Sequence, residues 1–513
     1  MKKFVILQLA GFGDTLSAIT RIPAVKKKYP EHEIVFYLGG FGKSVEFSKQ
    51  QIEREGYKAN IIKNLNFHVQ LEEIRELLKK TLNDGDILED WSFCEDIFQN
   101  KEPVFYQYDM QFPYRYKTTK DTVENTSNNI IAIHPLTKSG NVDGFESDVS
   151  NGRFWERRYW YSLCTKLCDE GYIPAFVGYG DEDWGLIEEL SNNGYRVLDK
   201  RMGVEDTIHF LQTVDGGIFC NSWDWEVTSR AGIPTFCFYT KNHFFIQNHI
   251  PKGPSDFWNT CYVEVRPEIY FRNNNDEKNN IESFGCVNSE SVYEKFMYIM
   301  NVKDRPPFDY DVCMITYNDS PHVKDTLENI EPYIKNKLCV VDGGSKDDTL
   351  DIVKSTIPSD KLNFREVAWD NKFGVQKNNS IEMAEKEWIV FIDADETYEH
   401  IFWNQIPWYI AEAVKDNVDC LSVSRINTYT DITPEETFLK REEHGWSVNE
   451  FGWVNYPDFQ QRLFKNNCRF EGDVHERIEN SKCELYLYCI NCVHKKTYEK
   501  QLKSFELYKK IER

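Results

Sequence analysis

Short apolar segments that end in turns rich in glycine or aspartate recur along this chain, and helix-like segments follow them. The first is Phe4–Leu9, and Ile130–His134 opens a second series. Leu338–Val341 and Trp388–Ile392 belong to a third series. Because strands that alternate with helices form parallel sheets covered by helices, the pattern predicts an α/β protein.

The length of 513 residues exceeds what one ordinary core can fill, so several domains are expected. The strand and helix pattern places a first Rossmann-like lobe at 1–128, a second at 129–301 and a third domain at 312–513. The stretch 302–311 contains Pro306-Pro307, and consecutive prolines resist both helix and sheet. We therefore expect a linker there.

The composition limits which binding partners and which cellular compartment are expected for this protein. A formal charge of −22 disfavours nucleic acid, without excluding a complex made by a locally basic face. No apolar run approaches the roughly 18–20 residues that a spanning helix needs, so we expect a cytoplasmic protein without a membrane span. The fourteen cysteines are scattered, which favours reduced thiols. A zinc site at Cys489 and Cys492 is an alternative to the strand that the run Leu485–Val493 predicts.

Carboxylates and glycines follow the first strands of the third domain. Leu338–Val341 runs into Asp342-Gly343-Gly344, at the sheet edge where open α/β sheets bind ligands. A nucleotide is the natural occupant of this edge. Asp342 is expected to accept hydrogen bonds from a base or ribose, and Gly343 lets the backbone approach closely.

Two aspartates come directly after the strand Trp388–Ile392, as Asp393-Ala394-Asp395. Carboxylates at this spacing can share a hard divalent cation, with diphosphate oxygens completing its coordination. Such a triplet taken alone is more often a solvated turn. Together with the Asp342 turn and with Thr316-Tyr317-Asn318 at the end of an earlier strand, it favours a metal and nucleotide site.

These motifs resemble glycosyltransferase family 2, which has the GT-A fold. The motifs that carry the resemblance stand in the family's order: Ile315-Thr316-Tyr317-Asn318, Val340-Val341-Asp342-Gly343-Gly344-Ser345 and Phe391-Ile392-Asp393-Ala394-Asp395-Glu396. The later segments 456–464 and 474–476 are similar to the branch that includes lipopolysaccharide-core glucosyltransferases. The resemblance covers about 200 residues and implies a hexosyltransferase-type enzyme.

The resemblance also implies roles for particular residues. The base and ribose of a nucleotide-sugar would meet Thr316, Asn318 and Asp342. Asp393 and Asp395 would hold Mn²⁺ or Mg²⁺, which stabilises charge on the departing nucleotide. The base of an inverting transfer would be Glu476, with Asp458 as the second candidate. His475 or His494 would be a further metal ligand. Lys377 would contact phosphate or order the loop. His475 can equally be a structural histidine.

The first strand is followed by Gly11-Phe12-Gly13-Asp14, where Asp14 alone would suggest a helix cap. The first 300 residues are similar to glycosyltransferase family 9. The similarity is carried by this turn and by further segments in the family's order: Pro23-Ala24, Tyr29-Pro30, 133–135, 153–155 and 231–235. That family consists of heptosyltransferases with the two-lobed GT-B fold. The similarity implies Asp14 as the base that activates the acceptor and Arg153 beside the donor phosphates.

One departure from family 9 bears on activity. Where the family has a glycine and a histidine beneath the donor, this chain has Trp223 and Glu226. A bulky side chain and an added carboxylate both disfavour a diphosphate in the usual pose. The first two lobes would then bind a different donor or form a non-catalytic module.

The leading hypothesis is a bifunctional chain, with a GT-B-like pair of Rossmann lobes followed by a GT-A-type nucleotide-sugar-binding domain. Two transferases would act in succession on a glycan, a lipid-linked acceptor or a protein. The alternative is a single active GT-A domain with an acceptor-binding or scaffold module at the amino terminus. A nucleotidyltransferase is a minor option, since Tyr317-Asn318 stands where such enzymes have a glycine- and lysine-rich loop.

Overall fold

A computed structural model describes most of the chain. The described residues are 2–9, 11–39, 43–62, 71–91, 107–119, 129–135, 155–178, 185–220, 222–241, 257–267, 287–301, 308–449, 452–474, 476–479, 481 and 484–511. The chain forms two compact units, Met1–Asp304 and Arg305–Arg513. The predicted linker residues 302–307 and the asparagine-rich stretch 272–280 lie outside the described residues.

The first unit begins with a parallel sheet in the order β3-β2-β1-β4. Its strands are β1 (Lys2–Leu9), β2 (His32–Gly39), β3 (Lys58–Ile61) and β4 (Ile87–Asp90). Its helices are α1 (Phe12–Ile19), α2 (Ile22–Lys28), α3 (Lys43–Arg54) and α4 (Leu71–Thr81). The residues Phe4 to Leu7 of β1 are almost fully buried, as expected for a central strand of a sheet with both faces covered.

A second parallel sheet, in the order β10-β9-β8-β5-β6-β7, completes this unit. Its strands are β5 (Ile130–His134), β6 (Ile173–Phe176), β7 (Leu198–Asp199), β8 (Gly216–Cys220), β9 (Thr235–Lys241) and β10 (Cys261–Pro267). Its helices are α5 (Arg157–Asp169), α6 (Leu186–Asn192), α7 (Val204–Leu211), α8 (Trp223–Arg230), α9 (Phe257–Thr260) and α10 (Ser289–Asn301).

Polar contacts join the two sheets of the first unit. Arg54 on α3 pairs with Glu205 on α7 at 2.8 Å. The buried Gln212 accepts a hydrogen bond from the backbone N–H of Tyr116 at 2.6 Å and donates one to its carbonyl at 3.0 Å. These polar groups satisfy each other's hydrogen bonds where the two sheets of the unit meet. We call this contact region the seam of the first unit.

The second unit is built on one eight-stranded mixed sheet in the order β13-β12-β11-β14-β17-β16-β20-β15. The strands are β11 (Tyr310–Thr316), β12 (Leu338–Asp342), β13 (Leu362–Glu366), β14 (Trp388–Asp393), β15 (Glu396–Tyr398), β16 (Cys420–Tyr429), β17 (Val454–Lys465) and β20 (Glu484–Lys496). Strands β11 to β14 are parallel, and β17 joins β14 in antiparallel register. The short strands β18 (Phe470–Glu471) and β19 (Arg477–Ile478) form a separate ribbon.

Seven helices are described in this unit. They are α11 (Ser320–Ile330), α12 (Thr349–Thr356), α13 (Phe373–Ile381), α14 (His400–Lys415), α15 (Pro434–Leu439), α16 (Arg441–His444) and α17 (Tyr498–Ile511). Buried side chains of β11, β12 and β14, such as Cys313, Val341 and Phe391, form the core beneath them.

The α/β prediction is confirmed, because both units contain parallel strands connected by helices. The first strand of the second unit begins at Tyr310, so its first two residues fall within the stretch 302–311 that the sequence pattern assigned to a linker. The run 485–493 lies within β20, as the strand interpretation requires. Within the described part of the chain, no helix is long and apolar enough to cross a membrane.

Candidate functional site

The two aspartates of the Asp-x-Asp triplet lie at the carboxyl end of β14. Asp393 is the last residue of this strand, and Asp395 immediately precedes β15. Ile315 of β11 pairs with Asp393, so the ends of both parallel strands meet at one edge of the sheet. Both carboxylates line a cavity of about 990 Å³. This volume is large for a small-molecule site.

Basic side chains hold the carboxylate of Asp393. Its Oδ2 accepts a hydrogen bond from Arg462 at 2.6 Å, and its Oδ1 lies 3.3 Å from the ammonium of Lys377. Burial raises the pKa of the Asp393 carboxyl, but Arg462, Lys377 and Arg425 lower it by more, so the pKa lies well below its ordinary value. Asp393 is therefore ionised at neutral pH.

Asp395 is held by a different set of partners. Its Oδ2 lies 3.2 Å from Nε2 of His494 and accepts a hydrogen bond from Lys500 at 3.1 Å. Burial raises the pKa of this carboxyl, but His494 and Lys500 lower it by more, so Asp395 is also ionised. His494 pairs through Nδ1 with Asn427 at 2.8 Å, and burial lowers its pKa. The two ring nitrogens of His494 therefore contact Asp395 and Asn427.

A buried ion pair lies behind the two aspartates. Arg462 is 1% exposed and Glu396 is 0% exposed. Arg462 donates from Nε and Nη2 to the two carboxylate oxygens of Glu396, at 3.0 and 2.6 Å. Such two-point pairing is geometrically specific, so it fixes the guanidinium that contacts Asp393.

The two predicted bases have different surroundings. Asp458 Oδ2 accepts hydrogen bonds from Arg425 and Asn427, and its Oδ1 accepts one from Gln460 at 2.8 Å. Burial raises the pKa of Asp458, but Arg425 and these donors lower it by more. Glu476 lines the same cavity and forms an ion pair with Lys377. His475 lies outside the described residues.

Hydrogen bonds within the chain hold the turn that begins at Asp342. Asp342 is fully buried, and Oδ1 accepts hydrogen bonds from the backbone N–H groups of Gly344 and Ser345, both at 2.8 Å. Oδ2 accepts from Thr316 Oγ1 at 2.9 Å and from Ser345 Oγ at 2.6 Å. Asn318 Oδ1 accepts a hydrogen bond from the backbone of Lys346 at 2.7 Å. In this structure Asp342 and Asn318 thus shape the turn.

Gly343 and Thr316 line the cavity next to this turn. A Cβ atom on Gly343 would lie 3.0 Å from the ring of Tyr317 and 3.2 Å from Cβ of Trp369, so a larger residue would crowd both side chains. The two rings are nearly parallel, with centroids 6.1 Å apart. Lys377 lies in the middle of α13.

Several site residues were not identified from the sequence. Arg425 and Asn427 project from β16, while Lys496 and Lys500 come from the end of β20 and the first turns of α17. Burial lowers the pKa of Lys496 to about 8, although Asp395 opposes this. Arg425 and Asn427 stand two residues apart in β16, on either side of the buried Ile426, and this spacing is the sequence signal that places both on one face of the strand.

The predicted residues of the first unit lie at its seam. Asp14 Oδ2 accepts a hydrogen bond from the backbone of Gly11 at 2.9 Å, which is a capping interaction at the start of α1. Phe12 packs edge-on against Trp223 at a centroid distance of 5.3 Å. Glu226 is buried and paired with Arg230. Arg153 lies outside the described residues.

Residues 311–471 match the family described as Glycosyl transferase family 2. The match lies within the second unit and is similar in extent to the resemblance that the sequence motifs carry. It contains the Asp342 turn, both aspartates of the triplet, Arg425 and Arg462. The basic residues of β20 and α17 follow the matched segment along the chain.

Curated relatives match over a similar length. The chain is 28% identical over 199 residues to the SPbeta prophage-derived glycosyltransferase SunS of Bacillus subtilis (strain 168), and to the glycosyltransferase SunS of Bacillus phage SPbeta. The match covers 37% of this chain and 40% of each relative. The chain therefore spans less than half the length of these relatives.

Solved structures show only slight likeness. A family 9 glycosyl transferase from Veillonella parvula DSM 2008 has a TM-score of 0.39 at 12% identity, covering 58% of this chain and 98% of that chain. Residues 1–349 of S. aureus TarS in complex with UDP-GlcNAc have a TM-score of 0.26 at 14% identity, covering 36% of this chain and 58% of that chain. Likeness at this level does not bear on function.

Among the described residues, no group of three or more histidine, cysteine, aspartate or glutamate side chains is arranged to hold a metal ion. Asp393 and Asp395 nevertheless suit a divalent cation, because both are ionised and line one cavity. The segment that matches family 2 thus presents two ionised carboxylates at the end of a buried strand.

Proposed function

We propose that this protein is a metal-dependent, inverting glycosyltransferase whose chemistry takes place in the second unit. It transfers a sugar from a nucleotide-sugar to an acceptor hydroxyl. The observation that carries the proposal is the pair of ionised carboxylates, Asp393 and Asp395, in one large cavity of a family 2 domain.

The charge of the cavity supports a divalent cation. Its lining contains as many acidic as basic side chains: Asp319, Asp393, Asp395, Asp458, Glu476 and Glu479 against Lys377, Arg425, Arg462, Arg477, Lys496 and Lys500. A donor diphosphate would make this neutral lining strongly negative, and a bound divalent cation would offset that charge. When bound by Asp393 and Asp395, Mn²⁺ or Mg²⁺ would supply Lewis-acid stabilisation of the departing diphosphate.

Glu476 is the better candidate for the general base. Asp458 already accepts hydrogen bonds from three side chains, and its lowered pKa makes it a weak base. Glu476 pairs with Lys377, which also contacts Asp393. In the transfer, Glu476 takes the proton of the acceptor hydroxyl while its oxygen bonds to the anomeric carbon. The bond from that carbon to the diphosphate oxygen breaks, and the electron pair leaves with the diphosphate.

Thr316, Tyr317, Gly343 and Trp369 form the part of the lining that suits the nucleoside. Gly343 lets the backbone approach a ring, and the exposed face of Tyr317 offers stacking. We assign Asp342 and Asn318 to shaping this turn, because their oxygens accept hydrogen bonds from within the chain.

Release of nucleoside diphosphate from a panel of nucleotide-sugars, measured with Mn²⁺ and with EDTA, tests this function. Wild type and the control Asp351→Asn, an exposed change on α12, should turn over one donor with Mn²⁺. Asp395→Asn should lose at least about a hundredfold in rate. Undiminished turnover by Asp395→Asn, or by wild type in EDTA, would refute the proposal.

For the first unit we propose the non-catalytic alternative over a second transferase. Trp223 packs on Phe12, and the Cα atom of Trp223 would lie 3.6 Å from a Cβ on Gly13. Side chains of the protein thus fill the space next to the turn that precedes α1. Asp14 caps the amino-terminal end of this helix. Asp14→Ala should leave all sugar transfer by the full chain intact, measured by mass spectrometry of products. Loss of one of two transferred sugars would favour two transferases.

A further inference from the structure

The basic side chains around Asp393 and Asp395 differ in what they contact. Arg462 pairs with Glu396 and Asp393, Arg425 with Asp458, Lys377 with Asp393 and Glu476, and Lys500 with Asp319 and Asp395. Among the residues that the structure describes, Lys496 has no hydrogen bond or ion pair for its ammonium group. Arg477 also lines the cavity, but it is exposed to water.

The position of Lys496 follows from the register of β20. Glu396 pairs with His494, so the end of β20 runs beside the Asp395 turn. The backbone N–H of Lys495 donates to the carbonyl of Asp395 at 3.3 Å. Because side chains two residues apart in a strand share a face, Lys496 projects to the same side as His494, whose ring contacts Asp395. Lys495 is exposed, whereas Lys496 lines the cavity.

The sequence places the Lys496 ammonium in the wall of the cavity, beside the Asp395 turn. Asp395 and Asp458 attract this ammonium at longer range, but neither forms an ion pair or hydrogen bond with it within the described part of the chain. An anionic ligand that enters the cavity would form the charge-assisted hydrogen bonds that these carboxylates do not form.

We propose that the ammonium of Lys496 binds the diphosphate of the nucleotide-sugar donor, on the Asp395 side of the cavity. The assignment rests on the proposed function, because it requires a nucleoside diphosphate in this cavity. Lys496 then has a binding role that stabilises the leaving diphosphate.

Calorimetric titration of the full-length chain tests this role. UDP, GDP, CDP, ADP and dTDP are each titrated with Mn²⁺ into wild type, and the nucleotide that binds is titrated into Lys496→Met, Lys496→Arg and Lys495→Met. Lys496→Met should weaken binding about tenfold or more, because a charge-assisted hydrogen bond is lost. Lys496→Arg should retain most of the affinity. Lys495→Met, the neighbouring lysine on the exposed face, should stay within about twofold of wild type.

Thermal unfolding without ligand separates binding from a structural role. Lys496→Met should unfold at the temperature of wild type or above it, because an unpaired ammonium is replaced by an apolar group. Wild-type affinity in Lys496→Met would overturn the assignment while leaving the proposed function standing. A lower unfolding temperature together with weaker binding would assign Lys496 a structural role and also overturn it. If no nucleoside diphosphate binds wild type, the assignment and the proposed function both fail.

Discussion

Replacing Arg462 by methionine should destabilise the second unit severely. The side chains of Arg462 and Glu396 are 1% and 0% exposed, and the change leaves the Glu396 carboxylate buried without its two-point partner. Breaking a buried ion pair on one side costs about 3–5 kcal/mol. For a unit of roughly 200 residues this corresponds to a fall of roughly 6–20 °C in unfolding temperature.

Differential scanning calorimetry of the full chain measures the effect. Arg441→Met is the matched control, because Arg441 pairs with the exposed Glu442 at 3.6 Å and should contribute less than about 1 kcal/mol. Adding Glu396→Met to Arg462→Met should restore part of the loss, since neither charge is then left buried alone. A loss below about 1 kcal/mol in Arg462→Met, or a double variant less stable than Arg462→Met, would refute this reasoning.

Two further predictions concern acid and base behaviour. Burial raises the pKa of Asp347, but hydrogen bonds from Thr349 and Ser320 lower it to about 2 overall. The folded pKa thus lies below the unfolded value of about 3.8, so the stability that Asp347 contributes is present above about pH 4 and declines toward pH 2. Urea unfolding of wild type and Asp347→Asn should show a difference that shrinks over this range; a difference that grows toward pH 2 would contradict it. Glu476→Gln should lower kcat about a hundredfold or more with little change in donor KM, because the general base is lost. A larger loss of kcat in Asp458→Asn than in Glu476→Gln would instead identify Asp458 as the base.

The strand pattern located the parallel sheets because strands covered on both faces are continuous apolar runs. Leu338–Val341 and Trp388–Ile392 are such runs, and both lie in the strands that the structure shows. The pairing of adjacent parallel strands then brings Thr316, Asp342 and Asp393 to one edge of the sheet. This part of the site follows from local sequence and simple topology.

The partners of these residues did not follow from local sequence. Arg425 and Lys496 come from β16 and β20, which join β17 and β15 through long-range strand pairing, and Lys500 comes from α17, the helix that follows β20. Single-sequence patterns do not give that register. The pattern also assigned Asp342 to ligand binding, whereas the structure shows its oxygens accepting hydrogen bonds from the turn itself. A carboxylate after a strand is compatible with both roles, and only its neighbours distinguish them.

The proposed mechanism requires Asp393 and Asp395 together to bind a divalent cation beside a donor diphosphate. Crystals of the full chain grown with Mn²⁺ and the nucleoside diphosphate that binds in solution, measured at the manganese absorption edge, test it most directly. Coordination by both aspartates predicts one strong anomalous peak within about 2.0–2.4 Å of an oxygen of each carboxylate. A bound nucleotide with no anomalous peak near either aspartate would contradict it.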